Sequence, residues 1–183
     1  MALIKEGMHR VFAVKIAMVL VAVASLWCGF EADHSARRAR IRTWTLETAE
    51  IGTFAKSALA RGNDLLLVER FSMLARRDDI AYILVMDKEG KARLHTDVTQ
   101  VGKVYTSAFA MRALAAGDTL VQPVESMGLI EVDYPLGSVG VLRAGFVLRA
   151  ATAGAGWMWA GLGLALIALV MAVLPALRTA VKL

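Results

Sequence analysis

A chain of 183 residues that is 57% hydrophobic and 20% charged, with a mean hydropathy of +0.56, has room for one ordinary domain plus membrane-spanning material, but not for a second large domain. It is too apolar for a purely soluble domain and too charged for an all-membrane bundle. Its net charge of +5 does not point to nucleic acid, because of where that charge lies.

Residues 31–149 carry 16 Lys and Arg against 15 Asp and Glu, whereas Lys5, Arg10, Lys15, Arg178 and Lys182 at the two ends face only Glu6. A basic excess beside apolar runs marks cytoplasm-facing membrane anchors, so the lipid bilayer is an expected partner and nucleic acid is not. The single cysteine, Cys28, has no internal disulfide partner and lies in an apolar run, where it reads as a small hydrophobe. The bulky Trp27 before it speaks against lipoprotein cleavage.

In chain order, residues 1–10 read as a cytoplasmic N-terminal tail and 11–30 as a first transmembrane helix, VFAVKIAMVLVAVASLWCGF, about the length needed to cross the hydrocarbon core. Lys15 lies about a turn inside and can snorkel back. A cleaved signal peptide is the competing reading, since Ala22 to Ser25 offers a cleavage site. Residues 150–177 form the second expected span, with no charge, Trp157 and Trp159 at its entry, and Pro175 then Arg178 at its exit. Gly154, Ala155, Gly156, Gly161 and Gly163 would let another helix approach closely. Residues 178–183 are then a short cytoplasmic tail. Both termini are expected in the cytoplasm, although Arg37, Arg38, Arg40 and Arg42 crowd the far side of the first span.

Residues 31–149 are read as one domain. Ile41, Trp44, Thr48, Ile51, Ala55 and Ala58 recur at spacings of three and four, the stripe of a helix that packs either on its own domain or along a dimer seam. Arg61 to Asn63 break that helix. DLLLVERFSMLA follows as a second one, with Asn63 or Asp64 as its cap. IAYILVM, residues 80–86, is apolar on both faces as a central strand would be, and DKEG turns the chain into KARLHTD. A helix is expected from Tyr105 to Ala115, ended by Gly117. TLVQPV, LIEVDYPL and VGVLRAGFVL then read as a three-strand meander. The expected fold class is α+β, an antiparallel sheet with helices on one side.

The order of a long membrane-proximal helix, YILVMDKEGKARLHTDVTQVGK, a further helix and a closing VDYPLGSVGVLRAGF resembles the single-Cache sensor domain, the PAS-like extracytoplasmic module of bacterial histidine kinases and chemoreceptors. The resemblance covers roughly residues 35 to 148. It implies a PAS-like antiparallel sheet with a long N-terminal helix, flanked by two transmembrane helices. It also implies a two-pass protein of the bacterial cytoplasmic membrane whose central domain lies in the periplasm or outside the cell. The cleft beside such a sheet binds small organic ligands, often carboxylates, with basic groups on the second strand.

Arg93 and His95, two apart, are therefore expected on one face, with Arg93 clamping a carboxylate and His95 adding a pH-sensitive hydrogen bond. Arg143, Lys103 and Tyr134 complete the candidate ligand-binding set. Structural roles compete for the same residues: His95 capped by Asp97 at a strand end, Arg93 solvated, and Arg143 paired with Asp133 or Glu131.

No Ser/His/Asp set, paired catalytic carboxylates, Cys/His metal spacing or glycine-rich phosphate loop can be placed, so neither an enzyme nor a cofactor is expected. Two functions remain. One is a signal-input sensor, dimeric or beside a lateral membrane partner, whose output lies in a partner or in a further C-terminal domain. The other is a structural or docking subunit of a membrane complex.

Overall fold

The computed structural model describes residues 2–148 together with Gly156, 159–167 and Val170, with side chains from Ile16 onward. The chain divides into two units, Met1–Arg38 with Ala151–Leu183, and Ala39–Ala150. Helix α1, Ala2–Ala60, supplies residues to both. Residues 2–10 of the expected tail are helical and continuous with the apolar run that follows, Gly7 included.

In the first unit, α1 exposes Val19, Leu20, Val23, Trp27 and Phe30, and Cys28 is exposed as well. The helix from Ile16 to Ala60 contains an 18-residue window of mean hydropathy 1.7 of which only 11% is buried, and it is the one helix among the described residues long and apolar enough to cross a membrane. The described part of the second expected span, 159–167, is helical. Gly161 is buried there against α1, where a Cβ would lie 3.1 Å from the Ala22 carbonyl oxygen and 3.2 Å from Ser25 Cβ. A small residue thus admits the close helix approach its sequence predicts. Trp157, Pro175 and Arg178 lie outside the described residues.

The second unit is α+β. Its five strands, β1 (Ile80–Met86), β2 (Ala92–His95), β3 (Leu120–Val124), β4 (Leu129–Pro135) and β5 (Val141–Val147), form one antiparallel sheet in the order β2-β1-β5-β4-β3. Pro123 is tolerated because β3 is an edge strand. The helix α2, Asp64–Leu74, begins at Asn63, whose side chain makes no capping bond. Helix α3 is shorter than its sequence suggests, Ala108–Ala115, and starts where Ser107 accepts from the Ala110 N–H. Tyr105 lies before it, in a segment that runs beside β2 through a Lys91–Val104 bridge.

Trp44, Thr48, Ile51, Ala55 and Ala58 of α1 are buried, as are Leu67, Phe71 and Leu74 of α2. They cover Ile83, Val85, Ile130, Val132, Leu142, Ala144 and Phe146, with Trp44 stacked on Phe146 at 5.0 Å between centroids. The helical stripe is therefore core packing within one chain. Helix α3 departs from the expectation of helices on one side. Ala110 and Ala113 pack with Leu84, Met86 and Val141, the residues that alternate with the first set along the strands and so lie on the opposite face.

A polar belt beneath α3

Every strand contributes a polar side chain to the α3 face. Tyr82 pairs with Gly145, Leu84 with Arg143 and with His95. Asp133 pairs with Arg143, and Gln122 with Glu131. Because cross-strand partners share a face, His95 (β2), Tyr82 (β1), Arg143 (β5), Glu131 and Asp133 (β4) and Gln122 (β3) form one belt across the sheet. Gly145 makes room in it, since a Cβ there would come within 2.6 Å of the Tyr82 ring.

The centre of the belt is almost completely buried: Asp133 is 1% exposed, Arg143 and Gln122 3% and Glu131 6%. Arg143 Nε donates to Asp133 Oδ1 at 2.8 Å, and its Nη2 donates to Glu131 Oε2. The other Glu131 oxygen accepts from the Tyr82 hydroxyl. Gln122 Nε2 donates to Asp133 Oδ2 at 2.7 Å and to the Phe109 carbonyl at 3.2 Å, which fixes the amide and leaves Gln122 Oε1 buried without a partner.

Burial shapes the acid–base character of these groups. It raises Asp133 above the usual carboxylate range, against the opposing effects of Arg143 and Gln122 and with help from Glu131. Burial opposes the charge of Arg143, yet Asp133 and Glu131 hold its pKa above the ordinary value. Burial, then the Glu131 charge, push Tyr82 far upward, so it remains a protonated donor.

Of the five candidate residues, only His95 and Arg143 lie on this belt. His95 is half-buried, stacked on Tyr82 at 5.8 Å, and its Nδ1 accepts from the Asp97 N–H at 2.8 Å, the strand-end capping its sequence allows. Burial lowers its pKa, opposed by Asp97 and assisted by Lys103.

Arg93 does not share the face of His95. The ladder shifts between Val85 and Met86, which pair with Leu94 and Ala92, so Arg93 is the extra residue of a bulge and the expected alternation fails. Its guanidinium lies 3.7 Å from Asp64 of α2 and is 44% exposed. Lys103 sits on the loop beside β2 and donates to Gln100 at 3.0 Å. Tyr134 is on the opposite face, with its ring over Gly52 and its hydroxyl 3.4 Å from Thr53. The five therefore do not converge on one ligand. Arg143 has the pairing that its sequence offered as the structural alternative, but buried rather than solvated.

Two open clefts of the second unit lie elsewhere. One of about 440 Å³ is lined by Trp44, Arg77 and Asp79 among others. The other, about 380 Å³, lies between α1 and α2 and is lined by Ile51, Phe54, Leu66 and Met73 with Glu50, Glu69 and Arg70. Neither touches a candidate residue. Among the described residues no group of three or more His, Cys, Asp or Glu side chains is placed to hold a metal.

Sequence reasoning passed over Tyr82, Gln122 and the joint role of Glu131 and Asp133. The signal was present in LIEVDYP, where two carboxylates alternate with Ile130 and Val132 and so share a face. Compared with known proteins, the chain matches no family model and no curated protein.

Proposed function

We propose that this protein is a membrane-anchored signal-input protein of a bacterial cytoplasmic membrane. Its extracytoplasmic PAS-like domain binds a small organic ligand and reports to a partner or to an output domain. The observation that carries this reading is the buried polar belt beneath α3. Burying three ionised side chains is costly compared with an apolar sheet face, and such convergent polar groups suit ligand recognition better than packing. A long apolar helix leading into an antiparallel sheet of order β2-β1-β5-β4-β3 fits the single-Cache resemblance. His95, with Lys103 near it, forms the more accessible end of the belt. The belt has no part in breaking or making bonds on this reading, and the protein is not an enzyme.

The test is a thermal-shift screen of the full chain in detergent against small organic acids, amines and amino acids, because a ligand that binds only the folded state raises apparent stability by mass action. The expected result is a saturable shift that His95→Ala weakens. A folded chain that no member of a broad library stabilises would sink the reading.

The groove between α1 and α2, with exposed Phe54, Leu66 and Met73, favours a second reading, that of a docking subunit in a larger membrane complex. It predicts migration as a large assembly on native gels that Phe54→Glu disperses.

A further inference from the structure

The charges at the centre of the belt do not balance. Glu131 and Asp133 bring two carboxylates, and Arg143 brings one guanidinium that both of them share. Gln122 adds a fixed carbonyl, Oε1, which is buried and accepts nothing. The centre therefore lacks one positive charge and at least one hydrogen-bond donor, and both shortfalls fall on Asp133 and its neighbours. A carboxylate ligand would deepen the charge imbalance in a low-dielectric setting.

We infer that the belt recognises its ligand through an ammonium group, seated against Asp133, Glu131 and Gln122 Oε1, so that the ligand class is a primary amine or the amino end of an amino acid. This rests on the ligand-sensing reading above and replaces the organic acid in it. An ammonium supplies the missing charge and three donors in one compact group. A divalent metal ion would find too few oxygen ligands, two carboxylates and one amide carbonyl. The belt lies on the α3 face, the other face of the sheet being closed by the Trp44, Phe71 and Phe146 core, and α3 packs there through Ala110, Ala113 and the larger Leu114.

The experiment compares methylammonium, putrescine and alaninamide with acetate and succinate as stabilisers of the full chain in detergent, with tetramethylammonium as a cation that has no N–H donor. The wild type is expected to show saturable stabilisation by the three N–H cations alone. Glu131→Gln removes the surplus charge while it still accepts from Arg143 and meets the Tyr82 hydroxyl, and it is expected to weaken that binding about tenfold or more. Gln122→Met, which removes the free carbonyl, gives a second, independent reading should the first variant fail to fold. Stabilisation by the carboxylates alone overturns the ammonium inference and leaves the sensing reading standing, whereas stabilisation by nothing overturns both. Equal binding by wild type and both variants, or equal stabilisation by tetramethylammonium, places the cation elsewhere and overturns the inference too.

Discussion

On the α1/α2 face, the sheet shows Ile83, Val85, Val132, Leu142 and Phe146 to Trp44, Leu67 and Phe71, and nearly every contact is apolar. On the α3 face, the same strands show Tyr82, Glu131, Asp133, Arg143 and Gln122, with a small apolar patch beside them. Both faces are buried, but burial acts differently on each. On the first it is the driving force, at roughly 25 cal/mol per Å² of apolar surface. On the second it is a cost that hydrogen bonds and ion pairing only partly offset. The first face supplies most of the driving force for folding, and the second supplies far less.

Truncation should separate the two. Phe146→Ala removes a ring stacked on Trp44 and should lower the unfolding free energy by about 3–5 kcal/mol through a cavity. Arg143→Met should cost a similar amount, about 3–5 kcal/mol, for the opposite reason, since it strands two buried carboxylates. Denaturant unfolding at neutral and mildly acid pH tells them apart. The Arg143→Met deficit should shrink as the carboxylates take up protons, while the Phe146→Ala deficit should not. Equal pH profiles would break the contrast between the faces.

Gly145→Ala, which sets a methyl against the Tyr82 ring, should cost about 1–3 kcal/mol by overpacking. In the same melts, Glu131→Gln should be neutral or stabilising at pH 7, because it removes the unbalanced charge and keeps both hydrogen-bonding positions occupied. A loss as large as that of Arg143→Met would mean that Glu131 is needed as an anion for folding.

The accessible end of the belt carries the smallest effects. The lowered pKa of His95 means that the folded state holds the neutral imidazole more readily than the unfolded chain does. Its contribution is therefore fully present above about pH 6.5 and is lost as pH falls through the lower folded value. An NMR titration should place its midpoint below 6.5, with His95→Gln identifying the signal; a midpoint above 6.5 would reverse the sign. Arg93→Ala should change stability by less than about 1 kcal/mol, since its contact with Asp64 is partly exposed and long.

The elements themselves were legible in the sequence, because what signals them is local. Hydrophobic spacing marks α1, α2 and β1, and the DKEG turn carries Gly90 at a φ of +80°, as that turn requires. The end of α1 at Arg61 to Asn63 and the run from β3 to β5 follow from the same short-range chemistry. The candidate site was only half legible. His95 and Arg143 stand where their types suggest, but Arg93 was assigned by an alternation that one bulged residue undoes, and Tyr134 turns to the other face with Leu142.

Only the tertiary structure decided that β5 inserts between β1 and β4, since strand partners some sixty residues apart carry no local mark of their pairing. That one choice brings Arg143 between Leu84 and Asp133 and sets α3 and α2 on opposite faces. It turns an ordinary cross-strand ion pair into a buried belt, because burial depends on what packs above a strand, whereas periodicity records only which residues lie together.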